Sequence, residues 1–403
     1  MADLLGRDPV APQSKLLGAS ITGKAVMVTG AGGSIGSELC RQIIEQAPKR
    51  LVLFELSEIA LYEIDRELRS VMQGKGISIE LVALLGNSRH RDRLRDVMLA
   101  YGVQTVYHAA AYKHVPIVEQ NLIEGTHNNV FATWNAAEAA VEAKVETFVL
   151  VSTDKAVHPT NVMGATKRFA EIVLQAMQDR QRVTRFCMVR FGNVLGSSGS
   201  VVPLFQDQIR LGGPVTVTHQ DVRRYFMTIP EAASLVLQAG SMAKGGEVFV
   251  LDMGQPVRID DLARRMIALS GHTLRDERNP EGDIAIHYTG LRPGEKLYEE
   301  LLIGENVSGT EHPMIMRAME HSPSWDAVQA LLTEMARALE KFDCERARHL
   351  LGQAVQEYQP ATLMHDLVWS VRHVAAAEPE PVIERRTGDA VVRLLRAVPR
   401  TDL

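Results

Sequence analysis

Three adjacent residues could move protons at a bound substrate: Thr153, Asp154 and Lys155. They follow the apolar run ETFVLVS, which predicts a buried strand, and ligands of parallel sheets bind beyond the carboxyl ends of the strands. A carboxylate and an amine at such an edge can serve as a general acid and a general base. Lys167, on the predicted helix that follows, adds a positive charge that lowers neighbouring pKa values. The alternative interpretation is that Asp154 and Lys155 cap the next turn and point to solvent.

A glycine-rich turn stands after the first predicted strand, in VMVTGAGGSIGSELC. A strand, this turn and a helix in succession are typical of a dinucleotide site. Gly30 permits the tight turn, Gly33 lets the backbone approach a pyrophosphate, and Gly36 lets the helix pack on the strand. Ser34 and Ile35 open the helix, whose free N–H groups would hold the diphosphate.

The ends of the next strands extend this predicted site. Glu55 ends the second strand, where a carboxylate would bind a ribose 2′-hydroxyl and repel a 2′-phosphate, so NAD is favoured over NADP. Asn87 and Ser88 follow the third strand and would meet the adenine edge. The fourth strand ends in three small residues that leave room for a dinucleotide, Ala109, Ala110 and Ala111.

Strands and helices that would position these residues alternate along the first half of the chain. Strands are predicted at 25–29, 50–54, 78–85, 104–109, 146–152 and 185–191. Helices are predicted after the first strand as far as Ala47, and at 57–73, 89–101, 128–143 and 164–179. Buried strands separated by helices favour an α/β fold with a doubly wound parallel sheet, the Rossmann arrangement.

The texture of the sequence divides the chain into four segments. Residues 1–20 are polar and contain two prolines, so we expect a lead-in linker with neither helix nor strand. Residues 21–190 form the predicted NAD-binding Rossmann domain, to which parts of 225–265 return. Residues 191–320 are richer in Gly and Ser and predict a smaller α/β substrate-binding domain. Residues 321–403 predict C-terminal helices and a weakly ordered, charged tail.

Composition narrows the class of protein. The 403 residues carry a net charge of −5, which argues against nucleic acid as a partner. The 3 cysteines are too few and too scattered for a disulfide framework or a metal site, so we expect reduced thiols and no bound metal. No apolar run is long enough for a transmembrane helix, and the first residues lack the layout of a signal peptide.

The Gly-x-x-Gly-x-x-Gly spacing resembles the extended short-chain dehydrogenase/reductase superfamily, which normally carries Tyr-x-x-x-Lys on the helix after the fifth strand. Lys167 matches that lysine, but Met163 stands where the tyrosine would be, and methionine cannot exchange a proton. The segments STDKAVHPTNVMGATK, YHAAAYKHVPIVEQN, RFGNVLGSSGSVVPLF, VRRYFMT and GLRPGEKLYEELL together resemble the UDP-N-acetylglucosamine 4,6-dehydratases. Within that family, a methionine at the position of Met163 resembles the large, membrane-tethered members.

The resemblance implies a bacterial lyase of surface polysaccharide and lipopolysaccharide O-antigen biosynthesis, with NAD as cofactor and UDP-N-acetylglucosamine as substrate. Such enzymes oxidise C4, eliminate water across C5 and C6, and return the hydride to C6. The resemblance implies that Lys155 is the C5 base and that Asp154 is the acid at C6. Asp154 is also the favoured acceptor of the C4 hydroxyl proton, and Thr153 would polarise the C4 oxygen. Lys167 would bind the nicotinamide ribose.

A base needs an amine with a lowered pKa, which we expect for Lys155 from burial beside positive charges. The similarity of Met163 to the large members also implies retention at C5. The product would then be a UDP-2-acetamido-2,6-dideoxy-4-keto-hexose.

Polar residues elsewhere are candidates for binding the nucleotide sugar: Lys113, His114, Asn193, Ser200, Arg258, Arg292 and Glu295. A guanidinium fork matches phosphate oxygens, so Arg258 and Arg292 would bind the diphosphate or ribose. Glu295, in RPGEK, would accept a hydrogen bond from the uridine ribose. Asn193 resembles the asparagine that contacts the diphosphate in the family. Lys113 and His114, which follow the fourth strand, would line the sugar pocket.

Two other functions stay open. An NAD-dependent nucleotide-sugar 4-epimerase shares the fold, the cofactor and the substrate, but it usually has tyrosine in place of Met163 and has less need of an Asp-Lys pair. A non-catalytic NAD-binding scaffold would explain Met163 as a mark of lost activity, although the intact Thr153–Asp154–Lys155 sequence argues against it.

The opening DLLGRDPV resembles the stretch that joins N-terminal membrane helices to the dinucleotide-binding domain in the large members. The resemblance therefore implies a cytoplasmic domain at the inner face of the bacterial inner membrane, with a membrane region in a longer parent. It also implies a homo-oligomer, often formed through helices beside the catalytic one.

Overall fold

The strands and helices were assigned in a computed structural model, which describes residues 10–301, 307–318, 320, 322–360, 363–376, 386–387 and 390–391. The strands of the first half are β1 (Ala25–Thr29), β2 (Arg50–Glu55), β3 (Glu80–Leu85), β4 (Thr105–His108), β5 (Thr147–Val151) and β6 (Arg185–Arg190). The remaining strands are short: β7 (Asn193–Leu195), β8 (Val215–Val217), β9 (Arg223–Arg224), β10 (Phe226–Thr228), β11 (Glu247–Leu251), β12 (Val257–Arg258), β13 (Leu274–Arg275), β14 (Ile284–Tyr288), β15 (Val307–Gly309), β16 (Ile315–Ala318), β17 (Arg386–Thr387) and β18 (Ala390–Val391).

Helices connect most of these strands. Those of the first half are α1 (Ser14–Gly18), α2 (Ser34–Ile44), α3 (Glu58–Lys75), α4 (Arg91–Tyr101), α5 (Val115–Glu119), α6 (Leu122–Thr126), α7 (Ala132–Glu142) and α8 (Val162–Arg180). Those of the second half are α9 (Val201–Arg210), α10 (Ile229–Met242), α11 (Ile259–Leu269), α12 (Trp325–Glu340), α13 (Cys344–Ala354) and α14 (Leu367–Ala376). A π-helical turn leads into α7 and a 3₁₀ turn follows β5, at His127–Phe131 and Asp154–Ala156.

The central sheet of the described residues has the strand order β15-β16-β11-β6-β5-β4-β1-β2-β3. Strands β1 to β6 and β11 run parallel, and the hairpin of β15 and β16 adds an antiparallel edge. Strand β1 is apolar up to its final residue, Thr29, and is buried along its whole length because helices cover both faces of the sheet. The strand order reverses between β1 and β4, and that switch point opens a crevice beyond the strand ends. The predicted α/β doubly wound fold is confirmed.

A second, smaller core lies between α9, α11 and the three-stranded sheet of β13, β14 and β8. Phe205, Val215, Ile267 and Ile284 are buried in it. Between its parts the chain returns to the main sheet, because α10 packs on α2 and β11 pairs with β6. The site described below lies where the two cores meet.

The expectation of neither helix nor strand in residues 1–20 is wrong at α1. Leu16 is buried beside α10, and the Ser241 hydroxyl donates to its carbonyl at 2.5 Å. The Gln13 N–H donates to Gln238 Oε1 at 2.9 Å. One buried leucine and two hydrogen bonds to a distant helix thus order a segment whose own composition is that of a linker.

The C-terminal helices α12 and α13 pack against the outer side of α8, which is why α8 is buried from Val162 to Gln178. Trp325 anchors this contact between the Trp134 ring and the Arg180 guanidinium. Most of the tail that we expected to be weakly ordered lies outside the described residues. Within the described part of the chain, no helix has both the length and the apolarity to cross a membrane.

Candidate active site

The glycine turn after β1 forms a tightly packed cradle in which side chains would clash with the backbone. Gly30 has φ +68°, and a Cβ there would lie 2.8 Å from the Ala110 nitrogen. A Cβ on Gly36 would lie 1.9 Å from the Gly30 oxygen. Helix α2 opens at Ser34 with Gly33 as its N-cap and with no side-chain cap. The bare turn and the uncapped helix start fit the diphosphate of a dinucleotide.

Glu55 borders this cradle at the end of β2. Its Oε2 accepts from the Gly32 N–H at 3.0 Å, and its Oε1 accepts from the N–H groups of Leu56 and Ser57 at 2.8 and 3.0 Å. These bonds hold the carboxylate beside the glycine turn, where a ribose hydroxyl would meet it. Along the same edge the predicted adenine and dinucleotide contacts also follow strand ends: Asn87, Ser88, Ala109, Ala110 and Ala111.

The acid and the base lie together in the 3₁₀ turn after β5. Asp154 Oδ1 accepts from the Lys155 ammonium at 3.1 Å and from the Thr153 hydroxyl at 2.9 Å. The Asp154 side chain is 0% exposed and that of Lys155 is 20% exposed. The other carboxylate oxygen of Asp154 is buried with no hydrogen-bond partner among the described residues. An unpartnered buried oxygen beside an ion pair is suited to a ligand hydroxyl.

The pKa of Lys155 moves opposite to our expectation. Burial favours a lower pKa, but the carboxylates of Asp154 and Glu299 together raise it above the ordinary lysine value. The expectation of a lowered pKa at Lys155 is therefore wrong for the described residues, because the carboxylates of Asp154 and Glu299 outweigh burial and the nearby Arg224. The ammonium also donates to Asn193 Oδ1 at 3.1 Å.

The pKa of Lys167, unlike that of Lys155, is lowered. Lys167 lies on α8, is buried, and donates to the Val151 carbonyl at the end of β5 at 2.8 Å. Burial lowers its pKa to about 8, although Glu171 opposes the shift. The neighbouring His108 is buried and its pKa is lowered to about 3, by burial first and by Lys167 second. Met163, one turn before Lys167, is buried in the apolar core.

Lys113 and His114 follow β4 and face the same crevice. Burial and the charge of Lys155 lower the pKa of Lys113, which shows that the two amines lie near each other. The His114 ring packs on Gly199, where a Cβ would lie 2.5 Å from the ring. The Asn129 side chain bonds both backbone groups of Tyr112 and so ties this segment to the turn before α7.

The other predicted substrate ligands are spread along the second core. Arg258 lines a cavity of about 590 Å³ together with Arg223 and Arg265, which concentrates positive charge there. Ser200 precedes α9, and its hydroxyl is buried with no hydrogen-bond partner in the described part of the chain. Arg292 is exposed on the loop after β14.

Glu295 is already engaged. Its Oε1 accepts from Arg224 and from the Thr218 hydroxyl, both at 3.0 Å, and its Oε2 accepts from the Arg292 N–H at 3.1 Å. A bond to a uridine ribose would therefore share these oxygens. Glu295 was predicted from the segment GLRPGEKLYEELL, whereas Arg224 and Glu299, whose charges act on the pKa of Lys155, were not predicted. We name Asp154, Lys155, Arg224 and Glu299 the site cluster.

Four more charged residues lie beneath the site and were also missed. The Arg190 guanidinium donates to Glu171 and Glu320 through four hydrogen bonds of 2.5 to 2.9 Å. Arg168 adds contacts of 3.2 Å to Glu171 and 2.9 Å to Glu320. The Ser152 hydroxyl donates to Glu171 at 2.6 Å, which links these residues to the end of β5. We name Arg168, Glu171, Arg190 and Glu320 the buried quartet.

Comparison with known proteins places this geometry in a family. Residues 26–320 match the family model described as polysaccharide biosynthesis protein. The chain is 54% identical over 300 residues to the capsular polysaccharide biosynthesis protein CapD of Staphylococcus aureus, covering 74% of this chain and 48% of CapD. It is 49% identical over 333 residues to the probable polysaccharide biosynthesis protein EpsC of Bacillus subtilis, covering 79% of this chain and 54% of EpsC. The chain thus spans about half the length of these two relatives.

A solved structure agrees with the fold. The X-ray structure of Pen from Bacillus thuringiensis superimposes with a TM-score of 0.65 at 34% identity, covering 75% of this chain and 88% of Pen. The family match includes the glycine cradle, the Asp154–Lys155 pair and the segment that carries Glu299. The chain therefore belongs to the polysaccharide biosynthesis protein family, built on the Rossmann fold of the extended short-chain dehydrogenase/reductases.

Proposed function

We propose that the chain catalyses the NAD-dependent 4,6-dehydration of UDP-N-acetylglucosamine. The observation that carries this proposal is the buried Asp154–Lys155 pair at the end of β5, with Met163 where a tyrosine base would stand. Oxidation alone needs one proton acceptor, whereas dehydration also needs a base at C5 and an acid at C6. A pair of side chains that can exchange protons suits the second requirement.

NAD would lie along the glycine cradle, with its diphosphate at Gly33 and the start of α2, and its adenosine ribose at Glu55. Bound there, it supplies the site with a hydride acceptor that later gives the hydride back. Lys167, held by the Val151 carbonyl, would bind the nicotinamide ribose. Gly30 and Gly36 permit the tight turn and the close packing that bring the start of α2 to the end of β1.

Asp154 would handle the first and second proton transfers. Its unpartnered Oδ2 would accept the C4 hydroxyl proton as the hydride leaves C4, while Thr153 polarises the C4 oxygen. The C4 ketone then acidifies the C5 proton. Asp154 would pass its new proton to the C6 hydroxyl, which leaves as water, so the carboxylate ends the cycle in the state in which it began.

Lys155 would handle the C5 proton. Because Asp154 and Glu299 raise its pKa, only the fraction of chains with the neutral amine would take that proton when water leaves, and the amine would return a proton to C5 when the hydride reaches C6. A single group acting from one side of the sugar gives retention at C5. The product would be a UDP-2-acetamido-2,6-dideoxy-4-keto-hexose.

The nucleotide part would lie against the second core, so that 191–320 serves as the substrate domain to the NAD-binding 21–190. Arg258, in its cationic cavity, would bind the diphosphate. The remaining candidates are Lys113, His114, Asn193, Ser200, Arg292 and Glu295, of which Asn193 contacts Lys155 directly.

Incubation of the purified chain with NAD and UDP-N-acetylglucosamine tests the proposal. We expect a product whose 4-keto group absorbs ultraviolet light in alkali. Asp154→Asn should lower its formation at least about 100-fold, because removing a positioned acid–base group costs that much. An epimerised UDP-sugar without that absorbance would establish the 4-epimerase instead, and tightly bound NAD without turnover of any UDP-sugar would favour a scaffold.

The same proposal includes a cellular setting. We propose that the chain serves bacterial surface polysaccharide biosynthesis as a cytoplasmic domain held at the inner face of the inner membrane by an N-terminal membrane region of a longer parent. The resemblance of DLLGRDPV to a membrane-proximal stretch supports this. Fractionation of the natural host tests it: the full-length protein should sediment with membranes, and its recovery in the soluble fraction would contradict the proposal.

We also propose a homo-oligomer. Because α12 and α13 cover α8, its contact would use surfaces other than the outer side of that helix. Sedimentation equilibrium should give a mass at least twice the 44.5 kDa of the chain, and a monomer mass would contradict the proposal.

A further inference from the structure

Glu299 is a buried carboxylate whose role the proposed reaction leaves unassigned. Its side chain is 6% exposed, and its Oε1 lies 3.8 Å from the Arg224 Nε. The next residue, Glu300, is also a glutamate, but its side chain is 52% exposed and contacts His158 at the surface. Two adjacent acids thus differ in burial, and the buried one faces the reacting pair.

The segment that carries Glu299 is fastened across the catalytic turn. The Thr160 hydroxyl and the Asn161 amide donate to the Gly294 carbonyl at 3.0 and 3.1 Å. Lys296 donates from the other side to the Val157 carbonyl at 3.1 Å. Gly294 has φ +74°, and a Cβ there would lie 2.8 Å from the Asn161 Cβ. These contacts fix the segment 294–299 over the turn.

Arg224 holds the end of this segment. Its guanidinium donates to Glu295 at 3.0 Å and to the carbonyls of Lys296 and Leu297 at 2.9 and 3.3 Å. With its side chain 8% exposed, Arg224 cannot neutralise Glu299 through a direct hydrogen bond at 3.8 Å. The carboxylate therefore keeps part of its charge for the other groups around it.

Charged groups from four segments surround the amine of Lys155: Asp154, Glu299, Arg224 and Lys113, with Lys296 also facing Glu299. Glu299 is the second carboxylate near the amine, after Asp154. In the proposed reaction Asp154 changes its charge during turnover, whereas Glu299 is given no proton transfer with the sugar. Burial and Asp154 raise the pKa of Glu299, and the positive charge of Lys155 is the main effect that opposes this rise.

We propose that Glu299 is a positioning residue that sets the proton state of Lys155 and thereby the pH range in which the amine acts as a base. This inference rests on the proposed function for its link to turnover. Its physical part, that the Glu299 carboxylate favours the protonated form of Lys155, does not depend on the reaction. It rests on the buried position of Glu299 beside Arg224, in a segment that is hydrogen-bonded to the turn carrying Lys155.

Glu299→Gln keeps the size of the side chain and removes its charge, and Glu300→Gln makes the same change at the exposed neighbour. The direct measurement is the pH titration of Lys155 by NMR of the ¹³C-lysine-labelled whole chain, with the resonance assigned through Lys155→Arg. Because Glu299 raises the pKa of Lys155, Glu299→Gln should move the titration to lower pH. Glu300→Gln should leave it unchanged, and Glu299→Asp should restore most of the wild-type titration.

Turnover gives the second measurement. In Glu299→Gln the acid limb of kcat against pH should move to lower pH, and the plateau should fall by about 3- to 10-fold because a weaker base takes the C5 proton less readily. KM for UDP-N-acetylglucosamine should change by less than about 2-fold if Glu299 does not touch the substrate. A structural defect would instead lower the plateau without moving the limb.

The two claims separate cleanly. An unmoved Lys155 titration in Glu299→Gln overturns the inference even if the wild-type chain dehydrates the sugar. A moved titration in a chain that forms no 4-keto product supports the role of Glu299 at Lys155 and contradicts the proposed function.

Discussion

The buried quartet and the site cluster each contain two carboxylates and two basic side chains, but only in the quartet do all the carboxylate oxygens accept hydrogen bonds from the described residues. In the quartet all four carboxylate oxygens of Glu171 and Glu320 accept hydrogen bonds from Arg190, and Arg190 is 0% exposed. In the site cluster Asp154 Oδ2 has no partner among the described residues, and Glu299 stays 3.8 Å from Arg224. Two groups with the same formal charge therefore differ in function, because one has all its carboxylate oxygens hydrogen-bonded and the other keeps one free for a ligand.

Hydrogen bonding of the carboxylates distinguishes a structural group of charged residues from one that can bind a ligand. In the quartet every carboxylate oxygen accepts a hydrogen bond, although the buried Arg168 Nε has no partner among the described residues, and Arg190 holds the pKa of Glu171 below its usual value despite burial. In the site cluster the Asp154 Oδ2 is free to accept from a ligand, and the Lys155 side chain is 20% exposed. The quartet lies directly beneath the cluster, since Ser152 links Glu171 to the strand end that carries Asp154.

Loss of the base should give the largest effect. Lys155→Met keeps a side chain of similar length and removes the amine, so kcat for dehydration should fall by about 10⁴-fold, equivalent to about 5.5 kcal/mol. The free energy of unfolding should also fall, by up to about 3 kcal/mol, because the variant leaves the buried Asp154 carboxylate without its ammonium partner and with only the Thr153 hydroxyl as donor. Steady-state kinetics and urea unfolding check the two parts, and a stable variant that retains more than a tenth of the activity would break the comparison.

Opening the quartet should reverse this pattern. Arg190→Met leaves two buried carboxylates without their main partner, so the free energy of unfolding should fall by about 3 to 5 kcal/mol. Urea unfolding measures it. The surface control is Arg69→Met, whose pair with Asp65 leaves the arginine side chain 57% exposed and should contribute at most about 1 kcal/mol. Equal losses in the two variants would show that the quartet has no special role in stability.

The lowered pKa of Lys167 predicts that the free energy of unfolding changes with pH. Its pKa is about 8 when folded and 10.5 in the ordinary state, so between these values the unfolded chain binds more protons. Stability should therefore rise with pH across this window by up to about 3 kcal/mol from this group. The measured quantity is the wild-type free energy of unfolding minus that of Lys167→Met, at pH 8 and pH 10. A difference that stays constant or falls with pH would contradict the burial argument.

Local patterns in the sequence were enough to predict the elements around the site. The run AVMVT matches β1 at both ends, and the glycines after it form the predicted turn because their requirement is a property of the backbone itself. The Asp154–Lys155 pair was also visible, since adjacent residues share one strand end. Helix α1 was not, because Leu16 is ordered by α10 from the other half of the chain.

Long-range electrostatics was the part that sequence patterns could not predict. Asp154 and, after it, Glu299 raise the pKa of Lys155, and Glu299 belongs to segment 294–299, which hydrogen bonds hold against the turn after β5. The quartet likewise joins α8, β6 and the segment after β16. Residue type and spacing located the chemistry, whereas the charge state depends on which distant segments fold against it.

The fate of the C5 hydrogen tests the central claim most directly. The chain would be incubated with NAD and UDP-N-acetylglucosamine in deuterated water, and the product would be examined by proton NMR. We predict a 4-keto-6-deoxy sugar that carries deuterium at C5 in the retained configuration. The hydrogen that was on C4 should be found at C6. A product that keeps its C6 hydroxyl and gains no deuterium at C5, such as a 4-epimer, would contradict it.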